Sequence, residues 1–408
     1  MRIVHVANFY GPRSGGIRTA MHALAAQYLR RGHEPVLVVP GERAGVAVLD
    51  GVRVVTVAAP RVPFSGGYRA VTRPAQVHRL LETLQPDRLE VSDRTTLVGT
   101  GAWAHEAGVP SVLLLHERVD GVLRAFLPGG GPDGRIREVG ARTMPRLADR
   151  YNARTLPLYD RLVATTGYAA AEVERLRARP GWQRSGLRLP PLHRVPLGVD
   201  LGLFRPDRRS TAARDELAPR GTALVVVASR LSKEKRVDLA VDAAAQVLRD
   251  GRPVRLVVAG AGPLLPALRL RAEQAGLPNR FLSFVPDRER LATLLACADA
   301  VVAAGPIETF GLAALEALAS GTPVVCSSTS ALPEVVGEAG AAGAPEPGAL
   351  ALALHDVLDR DPVARRVTAR ARAELFPWDA TGAAMVALHS RAAFETHLSV
   401  PELAVSPA

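Results

Sequence analysis

This sequence predicts an α/β protein of two Rossmann-like, doubly wound parallel-sheet domains facing a central cleft. Three observations predict it. The chain has 408 residues, more than one hydrophobic core organises, so two or three domains are expected. Short runs rich in Val, Leu and Ala alternate with helical patterns, the order of a parallel sheet covered on both faces. The same alternation stops near residue 195 and starts again near Thr222.

In the first domain, residues 1–195, strands are expected at 2–8, 35–39, 52–57, 88–91, 111–115, 161–164 and 193–195. A helix at 17–31 follows the turn Gly15-Gly16. Residues 128–134, rich in Gly and Pro, read as a loop, and the proline-bearing stretch 180–196 as an interdomain linker. In the second domain, residues 196–376, strands are expected at 223–228, 255–259, 281–284, 300–303 and 323–326. Residues 340–348 read as a Gly/Ala/Pro loop. The last helix, about 377–397, is amphipathic, and a disordered tail follows Pro401.

Composition narrows the class. Hydrophobic residues make up 48%, enough for sizeable cores. Cys297 and Cys326 lie in apolar contexts, far from metal-ligand spacing, and read as buried thiols of a reducing compartment. Met1-Arg2-Ile3-Val4 enters a strand directly, with no signal-peptide pattern, and no apolar run reaches about 18 residues. A cytoplasmic protein is expected. The net charge of +11 comes almost wholly from Arg, a bias of overall composition that does not by itself predict a nucleic-acid partner. Only two Lys occur, Lys233 and Lys235. In a chain that otherwise uses Arg, a Lys suggests a site wanting a compact ammonium charge, for example against phosphate.

The most informative stretch is Glu308-Thr309-Phe310-Gly311-Leu312, continuing as a helical run to Glu316. It follows a strand and ends at Gly321-Thr322-Pro323. Glu308 is therefore placed on a strand-to-helix loop and Glu316 inside the helix. At 1.5 Å per residue the two acids stand at most roughly 12 Å apart along the axis. The helix start between them offers unpaired N–H groups and partial positive charge to a phosphate. Gly311 lets backbone approach closely. The plainer alternative is an amphipathic helix with two surface acids.

Further candidates sit at strand ends. Arg230 and Lys235 follow the 223–228 strand and suit a diphosphate, or are ordinary loop charge. Gly15-Gly16 precedes a helix start and permits positive φ and close phosphate approach, or is a tight turn. His116 ends the 111–115 strand, as a hydrogen-bonding imidazole or a structural one. Glu117, Asp120 and Ser92-Asp93-Arg94 are weaker acceptor-side candidates. Gly260-Ala261-Gly262-Pro263 lacks the third glycine of a dinucleotide fingerprint and reads as a structural turn. Asp359-Arg360-Asp361 reads as helix-end charge, and no metal site is expected.

Taken together, the motifs resemble those of the retaining glycosyltransferases of family 4, which have the two-domain GT-B fold. The shared residues run in order along nearly the whole chain. They include Gly11 to Ile17, Pro196-Leu197-Gly198-Val199-Asp200, Phe204, Pro206, Ser229-Arg230-Leu231, Lys235, Gly260-Ala261-Gly262-Pro263, Glu308 to Glu316, Leu332-Pro333-Glu334 and Trp378. Leu197 and Ser229 depart from the family's usual Asn and Gly. The resemblance implies that Arg230 and Lys235 neutralise a departing diphosphate, Glu308 holds sugar hydroxyls, Glu316 holds the ribose, and His116 touches the donor sugar near the reacting carbon. Gly15, Gly16, Thr309, Phe310, Gly311 and Leu312 complete the donor site. It implies an acceptor-side first domain, a nucleotide-sugar-binding second domain, and a terminal helix that crosses back onto the first.

The reaction so implied is metal-independent, cofactor-free transfer of a hexose from a nucleoside-diphosphate sugar to a hydroxyl of a glycan or lipid-linked cell-envelope acceptor. The opening segment and the run from His116 to Gly121 are most similar to bacterial mannosyltransferases, which puts GDP-mannose ahead of UDP-sugars. The Arg-rich stretch 135–161 is a candidate for peripheral contact with anionic lipid at the inner face of the plasma membrane; a solvated face is the alternative. A nucleotide-sugar epimerase of the same fold and a non-catalytic nucleotide-sugar-binding protein are the competing readings. A dehydrogenase is disfavoured, because neither domain carries the full dinucleotide fingerprint.

Overall fold

A computed structural model describes residues 1–11, 16–62, 67–116, 118–120, 134–184 and 188–390, with backbone alone for 134–143 and 183–184. The chain divides into two compact units. One comprises Met1–Pro196 with Asp379–Ala408, the other Leu197–Trp378.

The first unit is built on an eight-stranded sheet. Its strands are β1 (Arg2–Val6), β2 (Glu34–Gly41), β3 (Gly45–Leu49), β4 (Val52–Ala58), β5 (Arg88–Val91), β6 (Ser111–Leu115), β7 (Arg161–Ala164) and β8 (Leu192–Arg194). Their spatial order is β3-β4-β2-β1-β5-β6-β7-β8. All pairings are parallel except β3 with β4, a hairpin closed through Asp50 and Gly51, both at positive φ. The central strands are buried on both faces, so apolar residues dominate them, and the charged side chains they carry, such as Glu90 on β5, lie buried as well. The helix Trp378–His389 completes one face: Met385 and Leu388 pack with Ile3, Leu24, Tyr28, Val112 and Leu114.

The second unit holds six parallel strands: β9 (Ala223–Ala228), β10 (Val254–Ala259), β11 (Asn279–Leu282), β12 (Ala300–Ala303), β13 (Val324–Ser327) and β14 (Gly340–Gly343). Their order is β11-β10-β9-β12-β13-β14. After β9 the chain moves one way to β10 and β11, then returns to β12 on the other side. The carboxyl ends of β9 and β12 thus form a topological switch point, where open α/β sheets take their ligands.

The structure corrects several sequence expectations. Residues 180–196 are not a linker, because they contain the helix Pro180–Arg184 and β8, the last strand of the first sheet. Residues 340–343 are a strand, not a loop. Gly340 allows that pairing: a Cβ there would lie 1.9 Å from the Val324 carbonyl oxygen, so only glycine lets β14 come beside β13. The exposed strand β3 was not foreseen, since it has no polar–apolar alternation. The terminal helix ends at His389; residues 391–397, the tail, and most of the 128–134 loop lie outside the described residues.

Candidate functional site

Three loops meet at the switch point of the second sheet. The first leaves β9 as Ser229-Arg230-Leu231 and turns through the 3-10 segment Lys233–Lys235. Two glycines fix its course. A Cβ on Gly260 would lie 1.9 Å from the Ser229 oxygen, and one on Gly262 2.3 Å from the Leu231 oxygen. The Leu231 N–H also donates to the Ala261 oxygen at 3.0 Å. Gly260 and Gly262 are therefore here for close backbone packing.

The second loop leaves β12 through Gly305 and carries Glu308. A Cβ on Gly305 would come within 3.1 Å of the Glu234 oxygen, so this glycine brings the two loops together. The result is a direct contact: Lys235 Nζ donates to Glu308 Oε2 at 2.5 Å. Both side chains are about a quarter exposed. Burial pushes the Glu308 carboxyl up, but Lys235, with Arg230 and the Thr309 N–H, outweighs it and holds the group below its ordinary value. Arg230 pairs with Glu234 at 3.1 Å.

The third loop follows β13. The Ala331 N–H donates to the Glu308 oxygen at 2.8 Å, and Leu332 closes against Gly311. Gly311 has φ of 85° and precedes the helix Leu312–Ala319; a Cβ there would sit 2.2 Å from Leu332 Cδ2 and 3.3 Å from Glu308 Cγ. Phe310 is buried edge-on against Phe376 and anchors the turn.

Glu316 lies in that helix, its side chain 10% exposed, and accepts from Arg288 Nη2 at 2.9 Å. Burial raises its carboxyl above the ordinary value, Arg288 pulls it back, and nearby Asp200 raises it again. Asp200 closes its own loop by accepting from the N–H groups of Gly202 and Leu203. Gly198 touches the backbone of Trp378, and Pro206 packs on Gly321. The scattered motif residues thus form one framework. Arg288, supported by the ring of Phe204, was missed by sequence reasoning; its only signal is its place directly after Asp287, which caps the helix Arg288–Cys297.

In the first unit the candidates fare differently. His116 follows β6, with its pKa lowered to about 4, first by burial and then by His5, against Glu90; its imidazole is neutral near pH 7. Gly16 opens the helix Gly16–Arg30, and a Cβ there would meet nothing within 4 Å. Gly15 and Glu117 lie outside the described residues.

The acceptor-side candidates are engaged elsewhere. Asp120 is buried between Arg118, at 2.7 Å, and Arg175, at 3.4 Å. Arg94 is buried against Glu172 at 3.1 Å, Asp93 caps Thr95 and Leu97, and Ser92 bonds His5. Glu172 also accepts from the N–H groups of Val119 and Asp120. Together they form a buried polar network within the first unit.

A second buried network was not foreseen. Glu90, fully buried on β5, binds His5 at 3.0 Å and His389 at 2.7 Å, and accepts from Tyr28. In the second unit, Asp359 pairs with Arg252 and Asp361 caps the next helix through Val363 and Ala364. No group of three or more His, Cys, Asp or Glu able to hold a metal ion occurs among the described residues. No described helix is long and apolar enough to cross a membrane.

Comparison with known proteins follows the same division. A family model described as "Glycosyl transferase 4-like domain" matches residues 15–184, and one described as "Glycosyl transferases group 1" matches 209–374. The chain is 45% identical over 389 residues, 95% of each chain, to a GDP-mannose-dependent alpha-(1-6)-phosphatidylinositol dimannoside mannosyltransferase of Mycobacterium tuberculosis. It is 30% identical to a D-inositol 3-phosphate glycosyltransferase of Xylanimonas cellulosilytica, over 93% of this chain and 92% of that one. Among solved structures, sucrose-phosphate synthase from Thermosynechococcus elongatus matches with a TM-score of 0.74 at 18% identity, covering 97% of this chain and 99% of that one. Anabaena HepE in complex with UDP-glucose matches with a TM-score of 0.68 at 18% identity, covering 95% and 98%. The protein is a glycosyltransferase, a member of glycosyltransferase family 4 with the GT-B fold, and is similar in sequence to a GDP-mannose-dependent mannosyltransferase.

Proposed function

We propose that this glycosyltransferase moves mannose, with retention, from GDP-mannose to a hydroxyl of a lipid-linked or cell-envelope glycan acceptor. The observation that carries the donor is the 45% identity, over 95% of both chains, to a GDP-mannose-dependent enzyme. That relative's name also points to a phosphatidylinositol mannoside as the acceptor class to test first. The two alternatives raised by the sequence, an epimerase and a non-catalytic binder, receive no support from the comparisons.

The residues suit the task. Arg230, Lys235 and the N–H groups at Phe310, Gly311 and Leu312 would hold the diphosphate and stabilise charge as it leaves. Glu308 would hold sugar hydroxyls, with Thr309 beside it, and Glu316 the ribose. His116 is neutral near pH 7, so it can donate or accept a hydrogen bond at the sugar without adding charge. Gly15 and Gly16 would let the donor approach the first helix; at Gly16 the space beyond Cα is open. The departing phosphate would help take the acceptor proton, so no protein nucleophile and no resident metal is assigned. Peripheral membrane contact belongs to this proposal through its lipid acceptor.

The test is donor choice. The purified protein is offered GDP-mannose, UDP-glucose, UDP-GlcNAc and UDP-galactose separately, and nucleotide release and thermal shift are followed. Selective stabilisation and slow hydrolysis with GDP-mannose, followed by product with phosphatidylinositol mannosides, is expected. Selective response to a UDP-sugar would overturn the donor assignment.

A further inference from the structure

The roles above give Arg288 no task, yet it makes the only ion pair to Glu316 among the described residues. Its guanidinium is held on two sides. It donates to Glu316 Oε1 at 2.9 Å and lies 5.0 Å from the ring centroid of the fully buried Phe204. Its backbone is fixed as well, because Asp287 Oδ1 caps the helix start through the N–H groups of Glu289 and Arg290.

Charged groups on the elements packed against this helix are committed to other partners, Asp200 apart. Glu289 pairs with Arg208 at 3.5 Å. Arg366 donates to the carbonyls of Ala296 and Ala298, and Arg370 to those of Leu201, Phe204 and Ala319. Asp200 faces Glu316 as a like charge and opposes ionisation. Burial also favours the neutral acid. An ionised carboxylate presents two strong acceptor oxygens to the hydroxyls of a vicinal diol, whereas the neutral acid turns one of them into a donor, and such charge-assisted bonds are about twice as strong as neutral ones. The arginine engages Oε1; Oε2 carries no bond among the described residues.

We propose that Arg288 is a positioning residue that keeps Glu316 ionised and aimed, so that donor affinity persists into mildly acidic conditions. This rests on the reading of Glu316 as the ribose-binding acid. The sign follows from the groups named. Removing Arg288 leaves burial and Asp200 to raise the carboxyl further. The carboxylate, and with it donor affinity, is then lost as pH falls through that raised value.

The experiment measures donor dissociation constants by calorimetry between about pH 5.5 and 8.5. The probe is whichever of GDP-mannose, UDP-glucose, UDP-GlcNAc and UDP-galactose the wild type binds best; sugar diphosphates carry no phosphate proton that titrates there. For Arg288→Met, the ratio to wild type is expected to stay below about fivefold at the alkaline end and to grow toward about tenfold per pH unit at the acid end. Arg288→Lys should restore most of the loss. Should Arg288→Met fail to fold, Phe204→Leu keeps the guanidinium but removes its ring support, and the same trend with a smaller slope is expected.

A ratio that does not change with pH, or no rescue by Lys, overturns the role of Arg288. Glu316→Ala separates the two readings. If it leaves affinity unchanged, the ribose assignment itself fails; if it weakens binding while the Arg288→Met ratio stays flat, only the Arg288 proposal fails. A wild type that binds none of the four overturns both.

Discussion

The two units commit their charged side chains differently. In the second unit, Lys235–Glu308 joins two loops with both side chains partly open, and Arg288–Glu316 joins a half-open arginine at a helix start to a buried acid inside the next helix. In the first unit, Glu90, Glu172, Asp120 and Arg94 are fully or almost fully buried and paired with one another or with buried neighbours. The same residue types therefore do two jobs. The proposed function gives the open pairs to the donor, with which they would exchange partners. Closed networks inside a sheet hold the fold.

The largest expected effect breaks the closed side of this contrast. Glu90→Ala leaves His5, His389 and Tyr28 facing an empty buried site, and removing one member of a buried pair costs about 3–5 kcal/mol. Urea midpoints should fall accordingly, while the donor affinity of the folded fraction is retained. Burial pushes the Glu90 carboxyl up, but the bonds from His389 and His5 outweigh this and hold it well below its ordinary value of 4.5. A depressed carboxyl contributes stability above its unfolded value and loses it as pH falls below. The wild type should thus lose stability on acidification below about pH 4.5 more steeply than Glu90→Ala. Parallel acid curves for the two proteins would refute the role.

Lys235→Ala tests the open side. It removes the ammonium aimed at the proposed leaving diphosphate, and loss of one such group costs about 10²–10³-fold in rate. Here kcat/KM should fall by that factor with a change in unfolding free energy of about 1 kcal/mol or less, since the pair is part-exposed. A variant that lost stability and kept its rate would place Lys235 with the closed networks.

Much of this division was legible in the sequence, for reasons that differ by residue. The strands of the second sheet were readable because parallel strands buried on both faces are near-continuously apolar, as Ala223–Ala228 is throughout and Val254–Ala259 is apart from Arg255. The Glu308–Gly311 loop was readable because a close backbone approach demands glycine next to the acid. β14 was not, because its Gly-Ala-Ala-Gly has the composition of a loop and becomes a strand only through the contact of Gly340 with β13. The partners of Glu90, Asp120 and Glu172 were not legible either. His389 lies 299 positions from Glu90, and no local pattern encodes such a contact. Asp93 and Arg94 looked available because strand ends border ligand sites, but their burial is decided by the helix Gly167–Arg177 packing above them.

The smallest effects come from two glycines that look alike in sequence. Gly311→Ala forces a side chain into φ of 85° and into Leu332 at 2.2 Å. Strain of that kind costs of order 1–3 kcal/mol, and the displaced turn carries Glu308 and the helix start, so donor affinity should fall with stability. Gly16→Ala has open space at a helix start, and alanine is the better helix former by about 1 kcal/mol at an interior position and less at a helix start. Its unfolding midpoint should stay level or rise slightly. If its donor KM nevertheless rises several-fold, the glycine is there for the ligand and not for the fold. If neither midpoint nor KM moves, Gly16 has no part in the donor site, and the open side of the contrast is confined to the second unit.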